Sequence, residues 1–141
     1  MVRLSFEESH PFLHNPYRSY PVVPIRLNNR GRVADTVAMI DTGADVCLFH
    51  SKWAQKVGLR LKAGRLDVIG GIEGGPGIEC YVHRITLMVG YAGKKIRCEV
   101  AFSEEIGEDI EDQLIGREIV FDRMRFAFRQ GQSTFYVGHS R

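Results

Sequence analysis

Apolar and polar residues alternate along much of this chain, with the two-residue period of strands that bury one face. Pro21-Val22-Val23-Pro24-Ile25-Arg26-Leu27 predicts a strand, and its two prolines, which cannot donate to a ladder, suggest a sheet edge. Asn28-Asn29-Arg30-Gly31-Arg32 carries turn residues, and Val33 to Ile40 returns as the second strand of a hairpin. Arg84 to Val89 sets Ile85, Leu87 and Val89 on one face. Ile96 to Phe102 does the same with Ile96, Cys98, Val100 and Phe102, leaving Arg97 and Glu99 opposite. These two strands pair around Gly90-Tyr91-Ala92-Gly93, and His83 falls at the edge of that wall as a strand residue. Met124 to Arg129 and Ser133 to Val137 predict a last hairpin around Gln130-Gly131-Gln132. Helical spacing is confined to short stretches. Ser51 caps a helix over Lys52 to Val57 that Gly58 ends, with Trp53 and Val57 sharing a packing face, and a second short helix is expected over Arg117 to Phe121.

Three stretches interrupt the pattern with residues that carry chemistry. In the first, the apolar run Val37-Ala38-Met39-Ile40 leads straight into Asp41-Thr42-Gly43-Ala44-Asp45. A carboxylate at the end of a buried strand must be paired or protonated, since bare charge is costly away from water. Thr42 brings a hydroxyl that both donates and accepts, and Gly43 allows a sharp turn and close approach of another backbone. Asp-Thr-Gly alone also fits an ordinary strand-end turn in which the Asp bonds its own backbone. The apolar run argues against that plain reading, because Asp41 enters the turn from the core.

The second stretch is Ile69-Gly70-Gly71-Ile72-Glu73-Gly74-Gly75-Pro76-Gly77, in which five of the eight residues from 70 to 77 are glycine. Phosphate cradling does not fit: Pro76 stands where a phosphate-binding loop needs Lys, and no Gly-x-Gly-x-x-Gly is present. A mobile hairpin fits better, with N–H groups at its tip brought near a ligand and Ile69 and Ile72 covering it. The third stretch is Leu114-Ile115-Gly116-Arg117-Glu118, an apolar pair followed by Gly-Arg.

Met39-Ile40-Asp41-Thr42-Gly43-Ala44-Asp45 resembles the active-site motif of retropepsin-like aspartic proteases, and Ile69-Gly70-Gly71-Ile72 resembles their flap. Leu114-Ile115-Gly116-Arg117 is similar to the segment that passes behind the catalytic loop in that family. The resemblance covers most of residues 21–129. It implies a small closed β-barrel of the acid-protease type with a glycine-rich flap. It also implies an aspartic endopeptidase in which Asp41 and the Asp41 of a second copy share the work across a homodimer. Thr42 and Gly43 would lock the two loops, and Gly43, Ala44, Asp45, Ile69, Gly70, Gly71 and Ile72 would bind an extended peptide. Arg117, beside Gly116, would pair with Asp45 as structural support. Truncating one partner would leave the other charge buried and unpaired, at a cost of roughly 3–5 kcal/mol. Val46 and the inserted Glu73 depart from the retroviral pattern. So does the terminal hairpin, since the retroviral chain ends interleave as the base of the dimer. The rival reading is a non-catalytic dimeric peptide-binding or scaffold module on the same fold. A monomer inactive until a partner pairs it is a third.

Composition changes little of this. The chain of 141 residues is expected to form one domain, residues 21–141, preceded by a tethered arm over 1–20. A hydrophobic content of 44%, a charged content of 26% and a net charge of +2 argue for neither nucleic-acid nor membrane partners. Without an apolar leader, and with Cys47, Cys80 and Cys98 read as reduced core thiols, the expected location is the cytoplasm. No cofactor and no metal are expected. His10 and His14 have a helical metal-ligand spacing, but Pro16 ends any helix and no acidic ligand follows. The acidic residues Glu104, Glu105, Glu108, Asp109, Glu111 and Asp112 read as a solvated loop, because Gly107 is out of frame for a calcium site.

Overall fold

Alternation along the strands produces the architecture directly, because each inward-facing set finds the same apolar interior. The computed structural model describes residues 1, 3–14, 18–70, 75–91, 94–109 and 112–139. Pro16, Gly71, Ile72, Glu73, Gly74, Ala92, Gly93 and Glu111, which enter the expectations above, lie outside the described residues. In chain order the strands and helices are β1 (Glu8–Pro11), β2 (Leu13–His14), β3 (Ser19–Tyr20), β4 (Val22–Asn29), β5 (Arg32–Ile40), β6 (Cys47–His50) and α1 (Ser51–Lys56). They continue with β7 (Arg65–Ile69), β8 (Ile78–Val89), β9 (Lys95–Ser103), β10 (Leu114–Ile115), α2 (Val120–Arg123), β11 (Met124–Arg129) and β12 (Thr134–His139).

Six strands close into a barrel in the order β4-β5-β10-β6-β9-β8, with β8 returning to β4 and β7 added beyond β8. The fold is mainly β with two short helices and matches the acid-protease type. The β8–β9 register sets Ile85 opposite Cys98 and Leu87 opposite Ile96, and all four are sealed in the core. The β4–β5 turn has two residues, Arg30 (φ 52°) and Gly31 (φ 90°), the left-handed pair whose twist suits a tight hairpin. Asn28 Oδ1 accepts from the Gly31 N–H at 2.8 Å and fixes it.

Four expectations change. The strand expected at a sheet edge, β4, is an inner strand, paired with β5 throughout and with β8 from Ile25 to Asn28. Pro24 is tolerated because it stands just outside the β8 ladder, where its carbonyl accepts from Gly90 N at 2.8 Å. The cap of α1 is His50 and not Ser51: its Nδ1 accepts from Lys52 N at 3.1 Å. Helix α2 starts later than expected. Ile119 stands at the centre of a three-residue turn (φ 65°) closed by Val120 N donating to Glu118 O at 2.7 Å, and the Arg117 and Glu118 N–H groups are already bonded to another loop.

The fourth change concerns the arm. Residues 8–11 pair with β12, so that β1, β12 and β11 form a three-stranded sheet. Phe12, only 3% exposed, joins the core against Phe135. Buried His10 stacks on Phe135 and bonds Glu8 at 3.0 Å, whereas exposed His14 turns to Ser19 at 2.8 Å. Glu7 accepts from the His139 N–H at 2.9 Å, which holds its carboxyl below the usual range.

Trp53 packs on the core as expected, with the Lys52 and Lys56 ammonium groups 5.5 and 4.5 Å from its ring centroid. His83 bonds the Leu61 carbonyl at 2.9 Å and meets Phe102 edge-on. The cysteines are free and buried, and burial pushes the Cys47 thiol up to about 11 and the Cys98 thiol up to about 12. The acidic loop is tied to the barrel: Glu105 accepts from Glu79 N at 2.6 Å, and Glu108 pairs with Lys52 at 3.1 Å. Among the described residues no helix is long and apolar enough to cross a membrane.

Candidate functional site

Strand β10 runs between β5 and β6, parallel to the first (Ile115 opposite Ile40) and antiparallel to the second (Leu114 opposite Leu48). The segment 41–46 joins β5 to β6 over the end of β10, so one loop is held by the backbone of a distant strand. Asp41 N donates to Ile115 O at 3.0 Å, Arg117 N to Ala44 O at 2.9 Å, and Glu118 N to Asp45 O at 2.8 Å. Within the loop, Gly43 N donates to Asp41 Oδ1 at 2.9 Å and Ala44 N to Asp41 O at 3.2 Å. The side-chain bond is the turn bond of the plain reading.

Two glycines are set by close approach. A Cβ on Gly43 would lie 3.3 Å from Asp41 Oδ1. One on Gly116 would lie 2.6 Å from the Val46 carbonyl carbon and 2.7 Å from its nitrogen, and backbone cannot move aside as a side chain can.

Asp41 is half-buried and lines a cavity of about 630 Å³. Gly43, Ala44, Asp45 and Val46 form one wall, and Asp67, Val68, Ile69 and Gly70 form the other. Leu48 and Leu114 form the floor, continuous with a small apolar cluster around Cys80 and Ala101. Asp41, Gly43, Ala44, Asp45, Ile69 and Gly70 are thus brought together around one space. Thr42 is exposed on the same loop, outside the cavity lining. Gly71 and Ile72 lie outside the described residues.

Arg117 Nη2 donates to Asp45 Oδ1, the contact expected of them. The burial imagined for it is corrected: in the single chain these side chains are 54% and 68% exposed, so water screens the pair. Arg117→Ala is therefore expected to lower unfolding stability by less than about 1 kcal/mol in urea titration. A loss of several kcal/mol would mean that the pair is desolvated in the protein as it exists in solution.

Sequence reasoning missed Gln113, which is 5% exposed and bonded at both ends of its amide. Its Oε1 accepts from His50 N at 3.1 Å, and its Nε2 donates to Thr36 Oγ1 at 3.0 Å and Val37 O at 2.9 Å. It pegs β5 to the end of β6 across the start of β10. The available signal was one uncharged polar residue between an acidic run and an apolar pair. Asp67, exposed on β7 and part of the cavity wall, was missed as well.

A family model described as aspartyl protease matches residues 23–119. Among solved structures the chain is similar to the protease of EIAV in complex with the inhibitor HBY-793. That likeness has 21% identity and a TM-score of 0.51, and covers 78% of this chain and 93% of that one. It is also similar to a retropepsin-like aspartic protease from Rickettsia conorii. Here identity is 16% and the TM-score 0.63, with 99% of this chain and 100% of that one covered. No curated protein matches it.

Proposed function

This chain belongs to the aspartyl protease family, and on that premise we propose that it is an endopeptidase built from two copies, each supplying one Asp41. The observation that carries the reading is the half-buried Asp41 in the lining of a cleft of about 630 Å³, with its loop fixed by the segment 115–118.

One carboxylate takes a proton from water, and the resulting hydroxide attacks the scissile carbonyl carbon. The other Asp41, protonated, gives its proton to the carbonyl oxygen. The tetrahedral intermediate collapses with transfer of a proton to the leaving nitrogen, and the peptide C–N bond breaks. Two carboxyl groups this close cannot both ionise, so one keeps its proton near working pH, as is general for aspartic-protease dyads. The two titrations belong to the pair as a unit.

Thr42, exposed on the loop, is available to bond the second copy, and Gly43, Ala44 and Asp45 offer backbone and carboxylate contacts to an extended peptide. Ile69 and Gly70 face it from the other wall, and the apolar floor favours apolar side chains near the cut. β12 is paired on both sides, with β1 and β11, so it offers no free edge to a second copy, which argues against the interleaved chain ends of the retroviral pattern. In this reading the two copies meet through the 41–45 loops, where each Asp41 stands.

The test is a mixing experiment. Asp41→Asn chains are added in growing excess to wild type at fixed concentration, and cleavage of a peptide library is followed. Activity is expected to fall as mixed pairs form, since each holds one competent carboxyl group. Activity indifferent to the added variant would mean that one chain suffices, and the two-copy dyad would be abandoned. Silence of wild type at every pH would favour the non-catalytic peptide-binding module.

A further inference from the structure

We propose that Asp67, with Glu118 across a side pocket, selects a lysine or arginine side chain of the peptide held in the cleft. The inference rests on the cleft being a peptide site, as the endopeptidase reading has it, though not on turnover. Past Val46 and Asp67 the cleft continues into a second cavity of about 220 Å³, which shares those two residues with the first. Cys47 and Ile119 supply apolar lining, while Asp67, Glu99 and Glu118 bring three carboxylates against the single cation Arg65.

Arg65 is already committed. Its two terminal nitrogens donate to the two Glu99 oxygens at 3.2 and 3.0 Å, and that pairing holds the Glu99 carboxyl below its usual range. Asp67 and Glu118 form no ion pair among the described residues. Asp67 uses Oδ1 to accept from Val68 N at 2.8 Å, which orients the carboxylate and leaves Oδ2 without a partner among the described residues. Glu118 is held at a fixed distance from the catalytic loop by its own N–H, bonded to Asp45 O at 2.8 Å.

A pocket with apolar lining and two carboxylates outside any ion pair, one of them only in the longer-range field of Arg65, suits one kind of side chain: a hydrocarbon stem with a cation at its end. It also rejects acidic side chains, so it discriminates by repulsion as well as attraction. Asp67 stands on β7, which leads into the glycine-rich segment, so it faces the peptide from the wall opposite Asp41.

The test uses peptide pairs that differ at one position, lysine against methionine and arginine against citrulline, scanned along the sequence. Each pair is read twice: as a ratio of kcat/KM with wild type, and as a ratio of affinities for Asp41→Asn by fluorescence anisotropy. At one position the basic member is expected to win by about fivefold, the yield of a partly solvated ion pair. Asp67→Asn combined with Glu118→Gln is expected to bring that ratio close to one. Asp67→Glu is expected to keep it, and Asp67→Lys to shift preference toward glutamate at the same position. No basic preference at any position, or a ratio unchanged in the double variant, overturns the proposal. Binding that shows the preference without cleavage by wild type upholds the pocket and removes the endopeptidase reading. Cleavage without charge preference does the reverse.

Discussion

Asp41→Asn is expected to lower kcat/KM by about 10²–10⁴-fold, the usual contribution of a positioned general acid–base group. The fold is expected to survive. Among the described residues the one side-chain bond of Asp41 is that accepted from Gly43 N at 2.9 Å, and an amide oxygen can accept it equally well. Thermal unfolding of the variant should therefore overlay that of wild type within a degree or two, while hydrolysis of every peptide disappears together. That combination separates chemistry from scaffolding. Cleavage retained near the wild-type rate would remove Asp41 from the mechanism. Activity lost in step with a large fall in Tm would say only that the loop had collapsed.

The largest effect on stability is expected from Gly116→Ala. The added carbon would meet the Val46 backbone, at 2.6 Å from one atom and 2.7 Å from the next, so a strand rather than a rotamer has to shift. Overpacking of this kind costs about 1–3 kcal/mol, and a backbone neighbour puts it at the upper end. For a domain of this size that is a fall in Tm of roughly 10 °C. The damage is also directed. The shift separates 115–118 from 41–46, and with it the three bonds that Ile115, Arg117 and Glu118 share with the loop. Activity should decline at temperatures where the circular dichroism is still native. A variant as stable as wild type would show that the two strands can part without cost.

The parts of the site that were legible in the sequence are those whose chemistry is local. Asp41-Thr42-Gly43 carries its own turn, and the glycines after Ile69 announce a hairpin whatever surrounds it. The Arg117–Asp45 contact was legible only through a resemblance, and its exposure was not, because burial belongs to the assembled surface and not to either residue. His50 as a cap was hidden by the better capping residue beside it, Ser51. The pairing of β1 was hidden by distance. Nothing in Glu8-Ser9-His10-Pro11 names a partner that lies beyond residue 133. Gln113 was hidden by company, since at the end of an acidic run it reads as one more solvated side chain.

The pairing of Glu8 with Val137 also bears on how the molecule is made. During synthesis β1 is produced before every strand of the barrel, and its partner β12 after all of them. Until then the arm stays on the nascent chain with Phe12, a core residue of the finished fold, in contact with water or a chaperone. Closing so long a loop costs more entropy than any local hairpin, though the cost grows only logarithmically with length. The barrel can therefore collapse while its outer sheet waits for the last strand to emerge. A chain stalled before β12 would keep that arm unpaired, with Phe12 lacking the Phe135 ring it meets in the finished fold.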